Sequence, residues 1–327
     1  FWPVVAATGG NLFVTIIKFI AASVSGSSSM FSEAIHSLAD TINQTLLLIG
    51  LHRSNKKANE TFDYGYGNER FFWSLISACG VLFVGAGITA YNGIATFLSP
   101  HHVEFSLIIV IVLGVSFLTE TYTLWVATRT LTKDYPNTSW AKRLAHADPS
   151  TLAVVLEDAV AVLGILVASC SILVSYFTGN TLWDAVGSLV IAVLLGAVAI
   201  TLIVKNRSYL IGKSISKEMQ AEIIRILESE PAVEKVIDFK SATVGFALYR
   251  IKCEIEFNGS ALLREAYQTE TLRGEFEEVK DDFEKFKRFC VDYADRIPRL
   301  IGRKVDEIEL HIKELHPSVR HIDIEIN

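Results

Sequence analysis

The sequence predicts an all-α membrane bundle of six helices followed by a small C-terminal α+β domain. Three observations lead there. Half of the 327 residues are hydrophobic and the mean hydropathy is positive. Six apolar stretches each have the length of a membrane crossing, and after residue 204 the chain turns to mixed charge with short amphipathic elements. The net charge of −6 is mild and does not by itself argue for or against nucleic acid; no nucleic-acid partner is expected. Four scattered cysteines (Cys79, Cys170, Cys253, Cys290) form no C-x-x-C pair, which excludes a zinc finger or a disulfide framework and fits a reducing or membrane setting. The chain begins at Phe1 rather than Met, so it is expected to be a piece of a longer protein whose targeting segment lies outside it.

A membrane helix needs about 20 apolar residues to cross a hydrocarbon core of roughly 30 Å. The stretches 2–24, 30–51, 71–98, 105–128, 151–177 and 181–204 meet this, and loop chemistry such as Gly26-Ser27-Ser28-Ser29, Ser99-Pro100 and Thr178-Gly179-Asn180 separates them. The connections after the first, third and fifth spans carry no Lys or Arg. The second-to-third connection carries Arg53, Lys56, Lys57 and Arg70; the fourth-to-fifth carries Lys133, Lys142 and Arg143; Lys205, Arg207 and Lys213 follow the sixth. The positive-inside rule therefore predicts that these faces and both termini lie on the cytoplasm-equivalent side.

The tail, residues 205–327, follows the six-span domain of residues 1–204. Residues 216–229 read as a helix with Ser216 as its cap and Pro231 beyond its end. Residues 246–257 alternate strictly, as a half-buried strand does, and a shorter strand is expected over Val233–Phe239. A late helix carries Val305, Ile308, Ile312 and Leu315, and the chain closes on Ile322, Ile324 and Ile326 at strand spacing. The order α-β-β-α-β predicts a ferredoxin-like α+β sandwich, with 264–300 as a charged helical insertion before the late helix.

Ionisable groups at bilayer depth cost about 2.5–3.5 kcal/mol each on insertion scales, so they face the bundle interior and mark a pathway. The second span has Glu33, His36 and Asp40; the fifth has Glu157 and Asp158; the fourth has Glu120 and the first Lys18. His36 and Asp40, four residues apart, lie about 6 Å apart along the axis and nearly on one face, where an imidazole and a carboxylate grip one metal ion together. Glu33 lies about one turn away, and Asp158 is positioned to complete the site from the fifth span. Nitrogen and oxygen donors suit zinc, and also accept manganese, iron or cobalt. For Glu120 a helix–helix hydrogen bond is an equal alternative, and Lys18 is expected to pair with a carboxylate. His311, His316 and His321 read as ordinary surface residues, and His101-His102 as an outer-loop pair.

These residues resemble a known family. Gly26 to Asp40 (GSSSMFSEAIHSLAD), Tyr64 to Arg70 (YGYGNER) and the six-span plus tail layout look like the cation diffusion facilitators, the zinc-transporter family. Asp148-Pro149-Ser150-Thr151, Leu156-Glu157-Asp158 and the tail Pro317 to Asp323 are similar to the zinc transporter 9 branch. The resemblance implies a homodimeric secondary transporter, joined through the tail, that moves zinc out of a cytoplasm-like compartment in exchange for protons. It implies a mitochondrial membrane for a eukaryotic chain and a plasma membrane for a bacterial one. It carries metal binding and proton coupling over to His36, Asp40 and Asp158. The family's partner four residues before Asp158 is here Val154, which cannot bind a metal; Glu157, Glu33 or water is left to fill that place. Glu157 points about 100° from Asp158 on an ideal helix. Two rival readings are a membrane scaffold with a degenerate site and an intramembrane metalloenzyme, though no H-E-x-x-H supports the latter.

Overall fold

The computed structural model describes the backbone of residues 2–99, 107–134, 136, 138–147, 149–266 and 269–327. It describes their side chains except those of 2–10, 134, 145, 146, 265, 266, 269 and 270. His101, His102 and Asp148 lie outside the described residues. The chain forms two compact units, Phe1–Ile211 and Gly212–Asn327.

The named elements of the first unit are all helices: α1 (Trp2–Ser25), α2 (Ser28–Ser54), α3 (Glu69–Gly80), α4 (Gly87–Leu98), α5 (Leu107–Asp134), the short α6 (Trp140–His146), α7 (Pro149–Thr178) and α8 (Leu182–Leu210). A π-helical stretch, Val81–Ala86, joins α3 and α4 into one rod, Glu69–Leu98. Among the described residues, four rods are long and apolar enough to cross a membrane: Glu69–Leu98, Leu107–Lys133, Pro149–Thr178 and Leu182–Leu210. In α1 the described stretch Asn11–Ser25 is apolar but shorter. The helices overrun the apolar windows read from sequence, α5 and α8 by six residues each at their C-terminal ends, because hydropathy marks only the oily part of a helix.

Burial in this unit is inverted relative to a water-soluble domain. Lys18, Glu33, His36 and Asp184 are at most 1% exposed, whereas Phe83, Tyr91, Leu118 and Val193 are at least 70% exposed. Such a molecule is stable only with its outer face in hydrocarbon. Inside, Met30, Ala39, Ile165, Ile172, Ile191 and Leu195 form one core, and Ala78, Leu131, Leu152, Val155 and Leu202 form a second. Small residues let the helices approach closely. A Cβ added at Gly187 of α8 would fall 2.5 Å from the Cβ of Ser171 on α7.

The second unit runs α9 (Lys217–Ser229), β1 (Val233–Gly245), β2 (Leu248–Phe257), α10 (Gly259–Ala266), α11 (Thr269–Val279), α12 (Phe283–Leu315) and β3 (Val319–Ile326). Ser216 caps α9, accepting from Met219 N at 3.2 Å. The sheet order is β1-β2-β3, antiparallel between β1 and β2 and parallel between β2 and β3, with Ile251 opposite Ile322. A parallel pair needs a long crossover, which α10 to α12 supply. Ile223, Leu227, Ile251, Ile255, Ile308, Ile312 and Val319 form the core.

Two expectations for this tail change. β1 runs on to Gly245, because β2 offers partners as far as Leu248 and the hairpin turns at Ala247, whose φ is 50°. Alternation carried through Ala247 in sequence cannot mark that turn. The late helix and much of the expected insertion are one helix, α12, which continues through Pro298. It starts where Asp282 accepts from the amides of Glu284 (2.9 Å) and Lys285 (3.2 Å), and a satisfied N-terminus of this kind favours early initiation. Burial in β2 also sets cysteine chemistry. It pushes the Cys253 thiol up to about 12, so the thiolate is suppressed at neutral pH. In native protein at pH 8, iodoacetamide is expected to label exposed Cys290 and spare Cys253 until the chain is unfolded, as read by peptide mass spectrometry. Equal labelling of the two in the native state would contradict this packing.

Candidate functional site: an acidic cavity between α2, α5 and α7

The positions of the ionisable residues follow from how α2 is anchored. Gly26 turns the chain with φ 64°, and Ser27 caps α2 by accepting from Met30 N at 3.1 Å. From there helix geometry carries Glu33, His36 and Asp40 inward along one face. His36 Nε2 lies 3.4 Å from Asp40 Oδ2.

Asp40 opens onto a cavity of about 360 Å³ lined also by Asn43, Glu120, Thr123, Glu157 and Asp158. Four carboxylates from α2, α5 and α7 thus share one space, and Val154 forms part of its wall. Asn11 and Val14 of α1 complete its lining; on α2 the lining runs from Ser37 to Leu47 and on α7 from Val154 to Asp158, toward the ends that lead to the basic connections. Asn43 organises one side: its Nδ2 donates to Glu157 Oε2, and its Oδ1 accepts from Ser77 Oγ. Glu157 and Asp158, adjacent in sequence, therefore face the same cavity, because the space is wide enough to span the turn between them.

Several buried atoms able to ligate a metal have no hydrogen-bond partner: both ring nitrogens of His36, Glu33 Oε1, Asp40 Oδ1 and Asp158 Oδ2. Buried polar atoms are ordinarily satisfied, so a cluster of exceptions suits a transient cation. Among the described residues, no three His, Cys, Asp or Glu side chains are gathered closely enough to hold a metal ion in this conformation. Asp40 and Asp158 line a chamber rather than a closed shell, and His36 stands behind Asp40 without lining it.

Glu33 takes a different part. Its Oε2 pairs with Lys18 Nζ at 3.4 Å, and Lys18 also donates to Ser37 Oγ at 2.8 Å. Glu33 and Lys18 are fully buried, and Glu33 leans into the space left by Gly164, where a Cβ would lie 2.3 Å from Oε1. The carboxylate partner expected for Lys18 is this one, which directs Glu33 away from the cavity lining. Glu120 lies on the cavity wall, where sequence left a helix–helix bond equally open. Sequence reasoning missed Asn43, an amide in an oily helix seven residues after His36, and Asp184. The latter receives Ser27 Oγ at 2.8 Å and the amides of Ser28 (2.5 Å) and Ser29 (3.2 Å). The signal for Asp184 was present, since it is an acid at the start of an apolar span.

A helical unit with apolar rods outside and an acidic chamber inside defines a multi-pass membrane protein built around a buried polar centre. The cation efflux transmembrane domain matches residues 4–211. Over 332 residues the chain is 37% identical to the proton-coupled zinc antiporter SLC30A9, mitochondrial, of Xenopus laevis, covering 98% of this chain and 58% of that protein. The human protein of that name is 36% identical over 328 residues, covering 98% and 57%. Metal tolerance protein C4 of Arabidopsis thaliana is 34% identical over 328 residues, covering 96% and 71%. The chain belongs to the cation efflux, or cation diffusion facilitator, family and to its zinc transporter 9-like branch. It spans somewhat more than half the length of its vertebrate relatives.

Proposed function

We propose that this protein is a proton-coupled antiporter that exports zinc through the chamber between α2, α5 and α7. The observation that carries the reading is the convergence of Asp40, Glu157 and Asp158 on one cavity beside His36, with unpartnered donor atoms on three of these residues. Membership of a cation efflux family and similarity to proteins named as proton-coupled zinc antiporters support it.

In this reading α1, α2, the Glu69–Leu98 rod, α5, α7 and α8 are six crossings, with both termini on the side of the basic connections. Three arginines at that end lie over tryptophan rings, Arg53 on Trp73, Arg129 on Trp125 and Arg143 on Trp140, as residues anchored in a headgroup layer do. The tail is a ferredoxin-like dimerisation domain joining two copies, on the same side. The membrane is mitochondrial, as the names of the vertebrate relatives state for those proteins.

The chemistry follows from donor type. His36, Asp40 and Asp158 bind the divalent ion when deprotonated, and Glu157, presented by Asn43, takes the position that Val154 cannot fill. Metal and protons compete for the same groups, so each cargo ion released is replaced by protons that ride back as the site turns round. Alternating access then arises from rocking of the helices about a fixed site. The test is zinc uptake by the purified chain in liposomes with an acidic interior. Uptake is expected to follow the proton gradient and to cease when an ionophore collapses it. Uptake indifferent to the gradient would reject antiport, and hydrolysis without flux would favour a metalloenzyme.

A further inference from the structure

The end of the bundle opposite the acidic chamber is tied by a polar network that the transport chemistry does not use. Asp184, fully buried at the start of α8, accepts three hydrogen bonds from Ser27, Ser28 and Ser29 at the start of α2. The peptide dipoles of α2 also favour a carboxylate there. Ser29 Oγ donates to the Asp184 carbonyl at 2.8 Å and lies 2.8 Å from Ser171 Oγ of α7. Ser32 Oγ lies 2.6 Å from Ser188 Oγ of α8, and Asn92 of α4 donates to Ser28 Oγ at 2.7 Å. Four helices therefore meet in a seam of small hydroxyl residues, packed so closely that Gly187 has no room for a Cβ. Ser29 stands about 16 Å along α2 from Asp40.

We propose that the Asp184–serine clasp is the outer gate of the pathway: closed here, at the end of the bundle opposite the chamber, and required to part when cargo leaves on the far side. This rests on the transport reading above. The composition of the seam suits a contact that opens. Its hydroxyls, amides and carboxylate are all groups that water satisfies when the helices separate, whereas an interlocked apolar seam would expose its side chains to water. A carboxylate held by uncharged donors also parts without stranding a buried cation.

The decisive experiment locks the seam. Ser29→Cys/Ser171→Cys is made in a chain carrying Cys79→Ala, Cys170→Ala, Cys253→Ala and Cys290→Ala, since hydroxyls 2.8 Å apart place the two sulfurs within disulfide reach. Reduced protein in acidic-interior liposomes is expected to take up zinc. Copper phenanthroline oxidation should reduce uptake to that of protein-free liposomes, and dithiothreitol should restore it. Uptake unaltered by a cross-link verified by mass spectrometry overturns the gate. Ser32→Cys/Ser188→Cys, with hydroxyls 2.6 Å apart, replaces the first pair if that variant does not fold. An independent assay needs no cargo: Ser32→Cys in the cysteine-free chain should resist a membrane-impermeant maleimide and become reactive when Asp184→Asn is added. Continued resistance also overturns the gate. A parent chain that moves no zinc overturns the transport reading instead, and the labelling result then judges the clasp by itself.

Discussion

Zinc uptake is expected to fall at least about 100-fold in His36→Ala, Asp40→Ala and Asp158→Ala, because even the outer-shell partners of metal ligands cost about 10–100-fold. The measurement is zinc uptake into liposomes with an acidic interior, paired with thermal melting in detergent. The pairing matters for His36, whose ring is 1% exposed and whose two nitrogens have no hydrogen-bond partner. Removing them breaks no hydrogen bond, only the 3.4 Å approach of Nε2 to Asp40 Oδ2, and a buried polar group without hydrogen-bond partners is a cost to the folded state. His36→Ala should therefore lose transport while melting within a few degrees of the parent. Parental uptake in any of the three variants would remove that residue from the site; a collapse in melting for His36→Ala would make its role structural.

Lys18→Met is expected to show the opposite signature. It leaves Glu33 fully buried without its ion-pair partner, and breaking a buried pair by removing one member costs about 3–5 kcal/mol. The charge, rather than the shape, is the cause, so Lys18→Met/Glu33→Leu should recover most of the loss, since replacing both members of a buried pair by apolar residues is often neutral or stabilising. Melting in detergent checks both variants. If the double variant is no more stable than Lys18→Met, then packing against Ser37 and Gly164, not charge pairing, holds this part of α1 and α2 together. The comparison also decides whether Glu33 belongs to the cargo site. As a structural partner of Lys18, its replacement in the double variant leaves zinc uptake largely intact; as a ligand, it does not.

Much of this protein was legible without a structure, and the reason is local. Apolar length marks a membrane helix, a spacing of four places His36 and Asp40 on one face, and alternation over 246–257 marks a half-buried strand that the structure starts at Leu248, because each follows from the geometry of a single element. The tail's helix cap at Ser216 and its core residues Ile308 and Ile312 belong to the same category. The serines before α2 were the limit of that approach. Read locally they are loop residues; in three dimensions Ser28 and Ser29 open the helix and hold Asp184, a residue 155 positions from Ser29.

What tertiary structure decided was partnership. Nothing within α2 directs Glu33 toward Lys18 or leaves Asp40 facing the chamber; the approach of α7 at Gly164 and the position of α1 do so. Helical angle alone set Glu157 apart from Asp158, yet both line one cavity, because the width of the space between α2, α5 and α7 depends on side chains from all three. The sequence by itself placed Lys18, Glu33, His36, Asp40, Glu120, Glu157 and Asp158, though not Asp184, inside the bundle, since burial cost and helical spacing are properties of one helix. Which of them meet, and which are held by lysine, asparagine or serine instead, depended on distances between helices, and those arise only from packing.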